Sequence, residues 1–421
     1  MKRRIMAGVL CIVITISELL SLSGCGTAQA ADLMANVKST AVSSDIDLTG
    51  NYSDAIADFA VRLFQNTVPA DGNPLISPLS IVCALAMTAN GAKGETLAQM
   101  EDVFGLPVQE LNKYLHAYME RLPAGDKYKV SLANSIWFKD DDRLKVEQDF
   151  LQKNADYYGA SIYKAAFDDT TLKEINGWVS DRTDGMIKDI LDKIPAEAVM
   201  YLVNALAFDA EWQNIYKENQ VRDGTFTTES GTARNAKMMY SSEHMYLNDE
   251  DATGFIKYYA DRKYAFAALL PNEGVSVAEY IASLTGEGLR NTLENARSVQ
   301  VNTAIPKFES EYSLEMSDVL VGMGMPDAFD AGLADFTGLG LYDNGKENIF
   351  INRVIHKTYI ALDEKGTKAG AATVVEMAET TAVIEPEEIK TVYLDRPFVY
   401  MLIDCETNLP LFIGAAMDIG E

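Results

Sequence analysis

The run from Met200 to Phe208 (MYLVNALAF) constrains the fold more than any other stretch of the chain. A half-buried strand alternates apolar and polar residues, whereas this run is apolar at both parities, so both of its faces must be covered. Further β-branched and aromatic runs occur at Val130–Phe138, Ala265–Leu270, Val299–Ile305, Lys357–Leu362 and Phe398–Ile403, separated by Gly, Asn and Pro breaks. Together they call for a large sheet with helices on at least one side. Helical patterning lies earlier. Ser53-Asp54 can cap a helix whose apolar positions Ile56, Phe59, Leu63 and Phe64 follow the 3.6-residue period, and Ser80 can cap Ile81–Asn90. From Asn51 to Glu421 there is no second linker, repeat or low-complexity tract, so this stretch reads as one mixed helix and sheet domain, larger than single cores usually grow.

The N-terminus has a different character. Lys2-Arg3-Arg4 precede a mostly apolar run from Ile5 to Leu22, and small residues follow, which is the order of an export signal occupying residues 1–24. Glu18, Thr15 and Ser17 break the run, leaving it short of the ~20 apolar residues a bilayer span needs. Leu22-Ser23-Gly24-Cys25 resembles a bacterial lipobox, in which the cysteine becomes the lipid-bearing first residue after cleavage. The competing reading is an ordinary cleavage site at Ala28-Gln29-Ala30. Two acyl chains on Cys25 would suffice for stable anchoring. Residues 25–50, rich in Ala, Ser, Thr and Asp with no aromatic, then read as a flexible tether.

Charge and motif content exclude several function classes. The 62 Asp+Glu against 36 Lys+Arg give a net charge of −26, which repels nucleic-acid backbones and anionic lipid headgroups. Cys11, Cys25, Cys83 and Cys405 are too scattered for a disulfide framework or a metal site, and Cys83 and Cys405 are expected as buried free thiols. His116, His244 and His356 are the only imidazoles, and none lies in a nucleophile elbow, a zinc motif or a phosphate loop. The expectation is therefore no enzyme activity, no cofactor and no metal. One segment near the C-terminus stands out. Asp363 to Met377 (DEKGTKAGAATVVEM) has the composition of a loop, yet at period two one face carries Thr367, Ala369, Ala371, Thr373, Val375 and Met377. Lys368 and Glu376 fall on the other face. Such a segment could pass from loop to sheet.

That segment resembles the proximal hinge of the reactive-centre loop of serpins, and the resemblance covers nearly everything from Asn51 on. Asn73–Met100 (NPLISPLSIVCALAMTANGAKGETLAQM) and Val392–Tyr400 (VYLDRPFVY) resemble the family's early strand-to-helix block and its C-terminal signature. Asn134-Ser135-Ile136-Trp137-Phe138, Asn204 with Trp212, Ala268-Leu269-Leu270-Pro271 and Ile305-Pro306-Lys307-Phe308 follow in the family's order. The resemblance implies an α+β fold, with helices packed around a large central mixed β-sheet and further sheets, and an exposed reactive-centre loop over about residues 364–391.

It also implies a function. In serpins a cleaved loop enters the central sheet as a new strand, carrying an acylated protease with it. This chain is thus expected to inhibit serine proteases by irreversible trapping, with papain-like cysteine proteases as a further class and a monomer as the working form. The rival is a non-inhibitory serpin-fold binding protein whose loop is cleaved as a substrate without trapping. Glu364, Gly366, Thr367, Ala369, Ala371, Ala372 and Thr373 match the inhibitory hinge, while Lys368 and Gly370 depart from it. Ser77, Ser80, Asn204 and His356 match the polar cluster called the shutter. Trp212 matches the top of the sheet opening, though a core tryptophan is an equally plain account. Seventeen positions, counted from Glu364 as the first, end on Thr380, so the expected reactive bond is Thr380–Thr381, with neighbours from Glu379 to Ile384 in competition. A small β-branched residue there suits elastase-like or subtilisin-like proteases. The protein is expected outside the cytoplasm, at the cell surface or free, held by lipid at Cys25.

Overall fold

Strand β4 (Met200–Glu211) accounts for the two-faced apolar run. Residues 200–208 are all buried, and alternate side chains meet different cores. Met200, Leu202, Leu206 and Phe208 point into the main core, whereas Tyr201, Val203 and Ala205 join a second cluster with Ile175, Val179, Ile187 and Leu191, contributed in part by the helix Asp169–Arg182. These features come from a computed structural model, which describes residues 29–68, 72–122, 125–195, 198–367 and 388–419.

Strand β4 belongs to a seven-stranded sheet. In chain order its strands are β1 (Ala31–Asp32), β2 (Tyr128–Lys139), β3 (Ser161–Ala165), β4, β5 (Phe308–Glu315), β6 (Arg353–Leu362) and β7 (Gly366–Thr367). The spatial order is β1-β3-β2-β4-β7-β6-β5. Strand β4 pairs antiparallel with β2 along its length, from Tyr128↔Ala210 to Phe138↔Met200. Its other edge pairs parallel with β6, but only from Tyr201↔Arg353 to Ala205↔Lys357. Beyond that point β7 stands between the two strands, with Thr367 facing Ala210 on one side and Leu362 on the other. A nine-stranded sheet packs nearby, running from Leu75–Ile76 at one edge to Ile389–Tyr393 at the other. Helices α1 (Asn51–Thr67) and α2 (Pro78–Ala89) cover the main core. The fold is thus the expected α+β arrangement of helices around a large mixed sheet and further sheets.

Several local expectations are corrected. Helix α1 begins at Asn51 after Gly50, whose φ of 79° suits glycine, so Ser53-Asp54 is not its cap. Ser53 is buried inside the helix; its hydroxyl donates to the Leu48 carbonyl and meets the Tyr114 hydroxyl at 2.8 Å. Helix α2 is capped by Ser77 rather than Ser80, with the Ser80 N–H donating to Ser77 Oγ at 3.4 Å and Pro78 at the first helical position. Within the loop expected over 364–391, the described ends are strand: Gly366–Thr367 at one side and Ile389 onward at the other. Cys405 is only partly buried, unlike Cys83, and both are free thiols.

The expected tether at residues 25–50 is also corrected from Ala30 on. Strand β1 pairs with β3, Leu33 N–H donates to the Ile162 carbonyl at 2.9 Å, and Thr40 N–H donates to Asp156 Oδ1 at 2.7 Å. Leu48 is buried, and Leu33, Met34, Val37 and Ile46 pack against the core. These apolar residues are spaced among polar ones, so average composition hides them. Residues 1–28, including Cys25, lie outside the described residues.

Candidate functional site

Two clusters flank the strip where β4 and β6 separate. The lower one is built on register. Asn134 of β2 faces Asn204 of β4, and Asn204 faces His356 of β6, so three polar side chains line up across three adjacent strands. Asn204 lies at the parity of the main core, which brings it to the first turn of α2. Its Oδ1 accepts from Ser80 Oγ and from His356 Nδ1, the latter at 2.8 Å, and its Nδ2 donates to Asn134 Oδ1 at 2.7 Å and to the Ser80 carbonyl. Both lone pairs and both N–H groups of this buried amide are used. The Ser77 N–H donates to His356 Nε2 at 3.1 Å, so Nε2 is the acceptor and Nδ1 carries the proton. Ser77, Ser80, Asn204 and His356 are therefore one connected latch, and Asn134 is a fifth member that the sequence reading left without a role.

Burial lowers the His356 pKa to about 3. An imidazole in an unfolded chain titrates near 6.5. Below that pH the unfolded state takes up a proton that the folded state refuses, so stability is complete above ~6.5 and declines as pH falls toward 3. At pH 5 the expected loss is about 2 kcal/mol. Urea unfolding at pH 7 and pH 5 should show this decline, and His356→Gln should remove most of it. An equal pH dependence in the variant would assign the loss to other groups.

The upper cluster is built where β4 ends. The Trp212 ring stacks on Tyr259 at 4.4 Å and 7°, with Phe266 edge-on at 6.1 Å. Three donors from residues 212–216 hold three successive carbonyls: Trp212 Nε1 reaches Asp363 O at 2.9 Å, Trp212 N–H reaches Lys365 O at 2.8 Å, and Tyr216 N–H reaches Glu364 O at 2.9 Å. The Glu364 carboxylate takes the Lys307 ammonium at 2.5 Å, which holds its pKa below the usual glutamate value. Asp363 Oδ1 accepts from the Lys365 and Gly366 N–H groups at 2.7 and 3.2 Å and turns the chain into β7. Gly366 then presses against β4 so closely that a Cβ would lie 1.9 Å from the Ala210 carbonyl oxygen. Thr367 is 1% exposed, with its hydroxyl 2.5 Å from Tyr259 OH.

Of the residues singled out from sequence, Glu364, Gly366, Thr367 and Trp212 thus meet at the upper cluster, and Ser77, Ser80, Asn204 and His356 at the lower. Ala369, Ala371, Ala372, Thr373, Thr380 and Thr381 lie outside the described residues, as do Lys368 and Gly370. Sequence reasoning left Lys307 without a role and missed Tyr216 and Tyr259. The visible signal for the first was its place in the quoted motif Ile305-Pro306-Lys307-Phe308, and nothing local marked the other two. Among the described residues no group of three or more His, Cys, Asp or Glu side chains could hold a metal ion.

Comparison with known proteins places this geometry. Residues 54–419 match the family model described as Serpin (serine protease inhibitor). A leukocyte elastase inhibitor of Equus caballus is 30% identical over 383 residues, covering 86% of this chain and 98% of that protein. The crystal structure of the thermophilic serpin tengpin in its native state superposes with a TM-score of 0.87 at 47% identity, covering 93% of this chain and 100% of the other. Tengpin in its latent state gives 0.78 at 46% identity, with 89% and 99% covered. The described conformation is thus the more similar to the native-state structure.

Proposed function

The chain belongs to the serpin family and is a protease inhibitor, not an enzyme; from that premise we propose that it traps serine proteases irreversibly by inserting its cleaved loop between β4 and β6. One observation carries the reading. Two of the hinge residues, Gly366 and Thr367, already pair as a strand between β4 and β6, at the place where direct pairing of those strands has ended. A strand that continued from Thr367 would run into that strip.

The chemistry follows from the protease. Its serine Oγ attacks the carbonyl carbon at Thr380, the Thr381 amine leaves with the proton supplied by the protease's own histidine, and Thr380 remains as an ester on the enzyme. Insertion then competes with water. A strand of seventeen residues at ~3.3 Å each would carry the protease roughly 56 Å. Distortion at the far end removes the oxyanion donors, and the loss of one alone slows deacylation by ~10²–10³. The small β-branched Thr380 and the likeness to an elastase inhibitor support elastase-like or subtilisin-like targets.

The test is a denaturing gel of the purified protein mixed with pancreatic elastase, subtilisin, trypsin and papain. A covalent complex that survives detergent is expected with elastase or subtilisin, and mass spectrometry of the released peptide should show a fragment beginning at Thr381. Cleavage without complex across the panel would establish the substrate-only rival. A fragment beginning at Ile384 or later would overturn the assignment of Thr380.

Location is part of the same proposal. The charged, apolar, small-residue order before Cys25 supports export with a lipid anchor at that cysteine. Cys25→Ser is expected to move the protein from the membrane fraction to the medium or soluble fraction. Unchanged partitioning would favour cleavage at Ala28-Gln29-Ala30.

A further inference from the structure

Directly beneath the segment that holds the hinge lies a buried pair of charges that the trapping chemistry does not use. Lys257, on the strand Ala252–Tyr258, is 1% exposed, and its ammonium donates to Glu243 Oε1 at 2.7 Å. Glu243, on the strand Ala233–Asn248, is 9% exposed. The same carboxylate oxygen accepts from Ser241 Oγ at 2.7 Å, and Ser241 Oγ in turn lies 2.9 Å from Thr303 Oγ1 on a third strand. Glu243 is thus fixed from two sides.

The other face of the ammonium meets residues 212–216. Lys257 Nζ lies 4.4 Å from the centre of the Tyr216 ring and 5.4 Å from that of Trp212, and it reaches the Asn214 carbonyl at 3.4 Å. Trp212 and Tyr216 are the residues whose N–H groups and indole bind the carbonyls of 363–365. A cation against two aromatic faces and a carbonyl holds a short irregular segment in one arrangement, which apolar packing alone does less well. A buried ion pair is seldom more stable than well-packed apolar residues of the same volume, so stability is a poor reason for its presence here.

We propose that Lys257, held by Glu243, is a positioning residue for hinge entry: it fixes the 212–216 segment so that Glu364, Lys365 and Gly366 are presented in register with the strip between β4 and β6. The proposal deepens the trapping reading and rests on it for its functional consequence. Without the cation, residues 212–216 have more than one way to pack. The hinge then starts into the sheet more slowly, and water releases more of the acyl-enzyme.

The deciding variant is the double substitution Lys257→Met with Glu243→Gln, which removes both charges and leaves no ion buried alone. Hydrogen exchange read by mass spectrometry needs no protease and reports on the dock itself. In the double variant, exchange in peptides covering 212–217 should be at least about tenfold faster, with Tyr264–Pro271 unchanged. With pancreatic elastase as the probe, the inhibitor consumed per protease trapped should rise at least about threefold. Unchanged exchange at 212–217 overturns the proposal, as does an unchanged stoichiometry where the parent traps elastase. Faster exchange throughout the molecule would make the pair a general element of the fold, which also overturns it. If the parent traps no protease, the trapping reading fails by itself and the exchange comparison still decides what Lys257 does.

Discussion

Thr367→Arg is expected to be cut in its loop by the target protease while forming no covalent complex. Thr367 is the innermost described hinge residue, 1% exposed, flanked by Ala210 and Leu362 and bonded to the Tyr259 hydroxyl. A guanidinium at this position would push Gly366–Thr367 out of its place between β4 and β6, and insertion would then have to bury the charge there, at a cost of several kcal/mol. Each 1.4 kcal/mol slows insertion about tenfold relative to deacylation, so ~4 kcal/mol is enough to let water win nearly every time. Gly366→Ala tests the same step without charge, because its Cβ would need to sit 1.9 Å from the Ala210 carbonyl oxygen. Thr367→Ser keeps the hydroxyl and should trap at close to parental stoichiometry. Full trapping by Thr367→Arg, measured as complex formed per molecule of protease, would mean that the hinge does not insert here.

The strands central to this argument were legible for a physical reason. A nine-residue run apolar at both parities has few places to go, and β4 takes it between two cores, with Tyr201, Val203 and Ala205 on one side and Met200, Leu202, Leu206 and Phe208 on the other. Asn204 was conspicuous as the polar residue in that run, and its partners Ser80 and His356 could be named only through the family resemblance. The strand Ala233–Asn248 was not legible, because its buried residues are interrupted by exposed ones in no fixed alternation. Helix α1 was placed correctly by its 3.6-residue period and wrongly at its start, since Ser53 found a better partner in Leu48 and Tyr114 than in its own helix N-terminus. The docking of residues 30–50 depends on a surface supplied by Ile162 and Asp156, which no local pattern announces. The pairing of Lys307 with Glu364 is similar: two ordinary surface-type charges far apart in sequence become half-buried neighbours only when β5 and the turn before β7 meet.

Cleavage of the loop by a protease that cannot be trapped should raise the melting temperature by roughly 10–20 °C. A zinc endopeptidase is suitable, because it attacks with metal-activated water and forms no acyl-enzyme. The size of the effect follows from what trapping must accomplish. Distorting the active site of a bound protease works against a fold that is itself stable by about 5–15 kcal/mol, so insertion must release on the order of 10 kcal/mol to do it. Part of that comes from ladder hydrogen bonds along the strip where β4 and β6 no longer pair directly, and part from covering Val375 and Met377 at ~1.5–3 kcal/mol each. Unfolding entropy grows with chain length, and for a domain of this size 1 kcal/mol moves the midpoint by roughly 1–2 °C. Scans of intact and cleaved protein must share one heating rate, since the apparent midpoint of an irreversible unfolding depends on scan rate. Mass spectrometry should confirm a single cut within residues 368–387 before the comparison is made. A cleaved protein that melts with the intact one would show that the loop stays out of the sheet, and the insertion step would then have no driving force in this molecule.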